Sequence, residues 1–418
     1  MSDPAARFAP WAWRESGHCL ITPAPEASGD HPAAAAIQPW TSPLQGELES
    51  ALASDPAAPA AWRLAERLTL QPATESLRRL ADQRRRELVG DGVSYVINRN
   101  LNFTNHCLQH CSFCAFRRDA GQAGAFWHSF DTLQQRAAEA AGAGASELCI
   151  QGGLNPEARL QGSSLRYYGA LLQALGQAAP GLHLHAFSPQ ELLFIAEQDG
   201  LPLQAVIDGL IEAGLGSVPG TAAELLSDSV RRVLCPEKLS ARQWCAVILQ
   251  VHRSGLASTA TLMAGHIETP RDRAAHLLTL VALQQRAWQH QVSGFSEFVL
   301  LPFIGAQAPA ALRQRVGRDQ PDRSAMLSLT AQARLLLGPW IINHQPSWVK
   351  LTLEGAGQAL DWGCNDLGGT LMEESITSMA GAQGGSRQSP AALEAAAASR
   401  GRPVRRRTTL YGELAPCG

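Results

Sequence analysis

The 418-residue chain is short of several things, and each shortage narrows what it can be. Net charge is nearly absent. Lys and Arg number 35 against 37 Asp and Glu, a formal −2, which gives no electrostatic case for nucleic acid or an anionic membrane surface as partner. No apolar run reaches the length of a membrane span. The first thirty residues, MSDPAARFAPWAWRESGHCLITPAPEASGD, lack a basic start followed by an apolar core, so no signal peptide is expected. A disulfide framework is missing as well, because the nine cysteines are odd in number, with three clustered and the rest scattered. The expectation is a cytoplasmic protein with no membrane attachment. Hydrophobic residues, at 45%, are ample for a core, and the length allows one large domain or two ordinary ones.

Residues 1–45 are rich in Pro and Ala without a sustained period and read as a mostly disordered tail, although Trp11, Trp13 and Trp40 are residues that often dock a tail onto a folded body. Residues 46–92 read as a helical lead-in: Leu64, Leu68, Leu77, Leu80 and Leu88 recur among Arg and Glu until Gly90-Asp-Gly92. From 93 to 375, strand and helix patterns alternate. Strands are expected at Ser94–Phe103, Glu147–Gln151, Leu182–Phe187, Gly216–Pro219, Ser258–Met263, Phe295–Phe303, Trp340–His344 and Asn365–Gly369. Helices are expected between them over 131–142, 164–178, 190–213, 240–254, 270–290, 324–338 and 349–361. Eight strands alternating with helices predict an α/β fold, a parallel (β/α)8 TIM-type barrel, with 376–418 as a C-terminal extension.

The stretch that organises the chain is Asn102-Phe-Thr-Asn-His-Cys-Leu-Gln-His-Cys-Ser-Phe-Cys-Ala-Phe-Arg-Arg118. Cys107, Cys111 and Cys114 are crowded into one loop after the first strand, and the next cysteine, Cys149, is far downstream. Three thiolates so close can face one inorganic cluster, and a cube normally held by four cysteines is left with one open iron. Zinc bound by these cysteines with His106 or His110 is the plainer alternative, but structural zinc usually pairs two short ligand motifs across a spacer, and no second pair stands here. The spacing CxxxCxxC, with Phe113 before the third cysteine, resembles the radical S-adenosylmethionine (SAM) enzymes. The resemblance implies one 4Fe-4S cluster on Cys107, Cys111 and Cys114. It also implies that SAM chelates the open iron and yields a 5′-deoxyadenosyl radical.

In a barrel the chemistry sits at the C-terminal ends of the strands. Gly152-Gly153 after the second strand is a tight turn or a place for the backbone to approach the methionine part of SAM. His266 and Glu268 follow the fifth strand and form either a surface turn or part of a site. His344 closes the seventh, and Glu224 follows the fourth. His183 and His185 point to one face of the third, as interior groups or as packed core histidines. The run Arg402–Arg407 reads most simply as a solvated segment.

Further stretches narrow the resemblance: Asn98-Arg-Asn-Leu-Asn-Phe-Thr-Asn105, Ile150-Gln-Gly-Gly-Leu-Asn-Pro156, Gly265-His-Ile-Glu-Thr-Pro270, Ser347-Trp-Val-Lys-Leu351 and Asn365-Asp-Leu-Gly-Gly-Thr-Leu-Met-Glu-Glu374. Over about 50–375, and again at Arg407–Tyr411, the chain resembles the second subunit of the deazaflavin (FO) synthases, the 5-amino-6-(D-ribitylamino)uracil–L-tyrosine 4-hydroxyphenyl transferases. That family's chemistry starts with hydrogen removal from the tyrosine amine. The Cα–Cβ bond then breaks, and the 4-hydroxybenzyl radical adds to C5 of the uracil. The resemblance implies L-tyrosine and ribitylaminouracil as substrates, a ring-closing FO synthase subunit as functional partner, and an electron donor. It puts Phe113 and Phe116 near the adenine and Gly152 and Gly153 near the methionine; Glu224, from its place after the fourth strand, is a further cofactor-binding candidate. His266, Glu268 and His344 are the candidate catalytic groups. A menaquinone-pathway relative acting on futalosine-type substrates is the alternative, and a barrel without turnover is a second.

Overall fold

The computed structural model describes residues 4–23 and 37–414. The strands are β1 (Val93–Val96), β2 (Asn98–Asn102), β3 (Glu147–Gln151), β4 (His183–Ala186), β5 (Ser217–Val218), β6 (Ala257–Ala264), β7 (Phe295–Pro302), β8 (His344–Pro346), β9 (Asp366–Gly369) and β10 (Val404–Arg406). Strands β2 to β8 form one parallel sheet in chain order, curled as in a TIM-type barrel. The first strand expected from sequence is broken at Ile97. Its first half, β1, leaves that sheet and lies between β9 and β10. The eighth strand therefore does not hydrogen-bond along β8. Asn365, just before it, ties it to that neighbour, its N–H donating to His344 O and its Oδ1 accepting from His344 N.

The seventh strand was expected at Trp340–His344 but runs His344–Pro346, because residues 340–343 turn the chain first. Pro346 is tolerated there because β8 is an edge of the larger sheet, where a missing N–H breaks no ladder.

Helices cover the outside. Several begin where side chain and backbone cap one another, at Ser188/Glu191, Ser240/Gln243 and Thr269/Asp272, with Pro189 and Pro270 at the first position. The single helix expected over 190–213 is two, Pro189–Asp199 and Leu203–Glu212, because Gly200 adopts the left-handed conformation (φ 65°) and Pro202 follows. The lead-in is three helices, Ser42–Ser54, Pro59–Thr69 and Glu75–Val89.

Disorder over 1–45 does not hold for 4–23, while 24–36 lies outside the described residues. The helix Pro10–Cys19 docks on the barrel through its tryptophans: the Arg253 guanidinium sits 3.8 Å from the Trp11 ring centre and that of Arg242 4.2 Å from Trp13. Proline and alanine bias hid a short amphipathic helix. The run Arg402–Arg407 is not all solvated either. Arg402 donates to Leu360 O and Cys364 O, and Arg407 to Asp366, so both are buried. Among the described residues no helix is long and apolar enough to cross a membrane.

Candidate active site

Strand β2 feeds the cysteine loop. Asn105 braces it, with Nδ2 donating to Gly124 O and Oδ1 accepting from Phe126 N, while Cys107 N donates to Arg118 O. Neighbouring loops hold it from outside: Leu108 N donates to Leu154 O, and Ser112 N to Leu234 O. So positioned, Cys107, Cys111 and Cys114 line a cavity of about 320 Å3, together with Phe113, Phe116, Gly152, Gly153 and Glu224. All the residues expected from sequence for the cluster and SAM therefore meet on one cavity.

Burial pushes the Cys111 thiol up to about 12 and raises that of Cys107, so each needs a nearby cation to ionise. Among the described residues, no three or more His, Cys, Asp or Glu side chains are arranged around a single metal ion. His110 is engaged instead with Glu237, its Nδ1 lying 3.2 Å from Oε2. Three cysteines on one loop, facing open cavity, are a donor set that fits an iron–sulfur cube with one iron free.

The glycine pair has a geometric cause. A Cβ on Gly153 would lie 2.0 Å from His106 O, and one on Gly152 would lie 2.5 Å from the Phe103 ring. The pair lets β3 and the cysteine loop close on each other, while both glycines still line the cavity. Gly152 N donates to Glu191 Oε1 at 3.0 Å. Glu191 also caps its own helix through Ser188, and burial pushes its carboxyl up to about 7 despite those bonds.

Glu224 stands at φ 45° in the loop after β5, next to Ala222 at φ 62°. Arg231 clamps that loop by donating to Ala222 O, Ala223 O and Leu239 O. Glu224 pairs with Lys238 at 2.7 Å. Burial disfavours both charges, but the pair outweighs it, holding the carboxyl below its usual range and the ammonium above. Lys238 also lies 5.5 Å from the centre of the Phe113 ring.

Lysine 350 and Glu374 complete the charged lining, from the helix after β8 and the loop after β9. Glu374 accepts from Thr377 N at 2.7 Å and Ser378 N at 3.0 Å. Burial lowers Lys350 to about 8 against the pull of Glu374 and Glu224. Glu191, Lys238, Lys350 and Glu374 were missed from sequence. Only the Ser188-x-x-Glu191 capping box carried a local signal for any of them.

The candidate catalytic groups lie elsewhere. His266 and Glu268 tie up the turn after β6: Glu268 accepts from Gly265 N and His266 N, and His266 Nε2 donates to Met263 O. Burial opposes the Glu268 charge, but His266, Gly265 N–H and Arg273 outweigh it and hold the carboxyl down at about 2. Neither residue lines the cavity. His344 begins β8 rather than ending a strand, which puts it at the opposite end of the barrel. There its Nε2 donates to Ile341 O, and burial holds the ring neutral, well below the usual histidine range. His183 and His185 both reach Ser217 Oγ, each at 2.7 Å, at that same end.

Comparison with known proteins agrees with this geometry. The sequence profile of the radical SAM superfamily matches residues 101–280, and that of the CofH/MqnC C-terminal region matches 292–413. In solved structures the fold resembles methylornithine synthase (PylB), with a TM-score of 0.63 at 14% identity over 87% of this chain and 97% of that one. It also resembles the FeFe-hydrogenase maturase HydG from Carboxydothermus hydrogenoformans, with a TM-score of 0.62 at 13% identity over 88% and 81%. Sequence relatives are much nearer. The 5-amino-6-(D-ribitylamino)uracil–L-tyrosine 4-hydroxyphenyl transferase of Synechococcus elongatus is 59% identical over 342 residues, 82% of this chain and 89% of its own. The protein of the same name from a Nostoc species is 52% identical over 368 residues, 88% and 94%. Aligned over most of both lengths at more than half identity, the chain belongs to the radical SAM superfamily and, within it, to the family of 5-amino-6-(D-ribitylamino)uracil–L-tyrosine 4-hydroxyphenyl transferases.

Proposed function

We propose that this chain joins the 4-hydroxybenzyl group of L-tyrosine to 5-amino-6-(D-ribitylamino)uracil in the synthesis of the deazaflavin FO. The observation that carries the reading is the agreement between two independent lines. Relatives at 52–59% identity bear that activity in their names, and the three cysteines, the glycine pair and two aromatics meet on one cavity. In this reading Cys107, Cys111 and Cys114 hold one 4Fe-4S cluster, with SAM on its open iron. When bound and reduced, the cluster supplies the electron that cleaves SAM into methionine and the 5′-deoxyadenosyl radical.

The chain's own contribution is placement. Gly152 and Gly153 would hold the methionine end of SAM near the cysteine loop, and Phe113 and Phe116 would lie near its adenine. The buried Glu224–Lys238 pair sets the charge beside that loop. The cavity would hold both substrates within reach of the radical carbon. The ring-closing FO synthase subunit takes the adduct onward, and an external donor reduces the cluster. The eight described cysteines are all free, which suits a reducing compartment such as the cytoplasm.

The test is anaerobic reconstitution with iron and sulfide, followed by SAM, reductant, L-tyrosine and ribitylaminouracil, with products read by mass spectrometry. A hydroxybenzyl adduct of the uracil is expected. The matched C-terminal region is shared with the MqnC type, so futalosine-type substrates belong in the same assay. 5′-Deoxyadenosine with a futalosine product and no uracil adduct would overturn the substrate assignment.

A further inference from the structure

The charged groups lining the cavity differ in how far the protein has already used them. Glu191 is spent on Ser188 and Gly152 N–H, Glu224 and Lys238 on each other, and Glu374 on the backbone of Thr377 and Ser378. Arg117, which also lines it, is paired with Asp119. Lys350 is the exception. Its backbone N–H donates to Ser347 O, but among the described residues no hydrogen bond or ion pair engages its ammonium.

Its placement is also enforced. Lys350 stands in the first turn of the helix Trp348–Leu360, and two residues on, Thr352 takes φ 65°, ψ 164°, which splits that turn from the rest. Such a conformation is strained for a β-branched residue, and strain of this kind persists only where surrounding contacts over-determine it. Those contacts are visible: Trp348 Nε1 donates to Gly369 O, and Gly384 N to Val349 O. The turn carrying Lys350 is pinned from two sides.

Lys350 is half-buried, and Glu374 and Glu224 attract its ammonium without touching it, so a ligand that brings an anion into the cavity meets a cation with its hydrogen bonds still to make. Burial already holds Lys350 down at about 8, and it stays mostly protonated at neutral pH. We infer that the Lys350 ammonium binds the α-carboxylate of the amino-acid substrate and so fixes which end of tyrosine faces the cysteine loop. This rests on the proposed function, under which the two substrates beside SAM are one amino acid and one uncharged ribitylated uracil. Only the amino acid brings a carboxylate, and among the described residues that line the cavity only Lys350 offers a free cation. Lys350 is a substrate-positioning residue that sets selectivity for amino acids over amines.

The experiment uses tyramine, which is tyrosine without the carboxylate. Binding of L-tyrosine and of tyramine to the reconstituted, SAM-loaded protein is measured by anaerobic equilibrium dialysis for wild type, Lys350→Met and Lys350→Arg. Loss of a hydrogen bond to a charged group weakens L-tyrosine binding by roughly 10- to 100-fold in Lys350→Met, while tyramine stays within about twofold. Lys350→Arg keeps most of the preference. Wild type binding tyramine as tightly as tyrosine overturns the inference without any variant, which covers the case where Lys350→Met folds poorly. Equal loss of both ligands in a folded Lys350→Met overturns it too. The uracil adduct made by wild type is scored separately: its absence counts against the proposed function, and the tyrosine–tyramine ratio still decides whether Lys350 reads the carboxylate.

Discussion

The two ends of the barrel bury charge in opposite ways. At the N-terminal ends of the strands, Arg407 donates to Asp366 and to Glu297, Tyr411 donates to Glu297, and Asn98 donates to Glu147. Every one of these groups is answered by another protein group. At the C-terminal ends, the acids and bases face a cavity and one lysine is unanswered. Both ends hold strongly shifted groups. Burial raises the Glu297 carboxyl despite Arg407, much as it raises Glu191 at the other end. A perturbed pKa alone therefore does not separate a floor from an active site. What separates them is whether the hydrogen-bonding capacity is complete.

The largest expected effect lies at the open end. Cys107→Ala, Cys111→Ala and Cys114→Ala should each lose iron and drop 5′-deoxyadenosine formation by more than about 1,000-fold, since that reaction has no route without the cluster. Thermal melting of the unreconstituted protein should barely change, because the loop is braced by Asn105 rather than by its sulfurs. Retained activity in any of the three would break the cluster assignment.

At the closed end the damage should be to stability instead. Arg407→Met strands Asp366 and Glu297, and leaving buried charges unpaired costs about 3–5 kcal/mol. Urea unfolding should show this, and activity per folded molecule should survive at low temperature. A stable but inactive Arg407→Met would mean the floor takes part in catalysis.

Gly153→Ala should fall between the two. Its Cβ meets a backbone carbonyl, His106 O, so the cysteine loop must shift at a cost of about 1–3 kcal/mol. Iron retention after desalting reads the displacement. Gly152→Ala meets the tip of the Phe103 ring, which is fully buried against Tyr168 and Phe187 and has little room to yield, so a loss of the same order is expected.

The most gradual effect is the pH dependence, spread over each group's titration window, and its sign differs between the ends. Burial lowers the His185 ring to about 4, partly offset by Glu147, so this histidine's contribution to stability is present above pH 6.5 and lost as pH falls toward 4. Glu191, raised to about 7, contributes below pH 4.5 and loses that contribution as pH rises through 7. Each gives a slope of about 1.4 kcal/mol per pH unit inside its window. His185→Asn should flatten the acid limb of a urea-midpoint profile, and Glu191→Gln the limb between pH 4.5 and 7.

The same contrast explains what could be read in the sequence. Cys107, Cys111, Cys114, Gly152 and Gly153 were legible because their function depends on spacing within one short loop or turn. Strand order was legible because β3, β6 and β7 carry apolar runs of their own and helices of regular length separate the strands. Lys238, Lys350 and Glu374 reach the cavity from elements far apart in the chain, and no local pattern marks them. His266, Glu268 and His344 misled for a local reason. Polar residues near a strand end look alike whether they serve a ligand or a turn, and the two-to-four-residue shift of β8 moved His344 from one end of the barrel to the other. Arg402 and Arg407 look solvated in sequence because their partners, Cys364 O and Asp366, lie some forty residues away.

Strand β1 has neighbours only downstream: β9 on one side, beginning at Asp366, and β10 on the other, beginning at Val404. While the chain is being made, Val93–Val96 emerges about 300 residues before its second partner, an interval of roughly 15–60 s at ribosomal rates. Until β9 emerges both its edges are unpaired, and its pairing with β10 spans most of the sequence. Folding of this protein should accordingly be slow and finish late, limited by an end-to-end search rather than by the helices that form along the way.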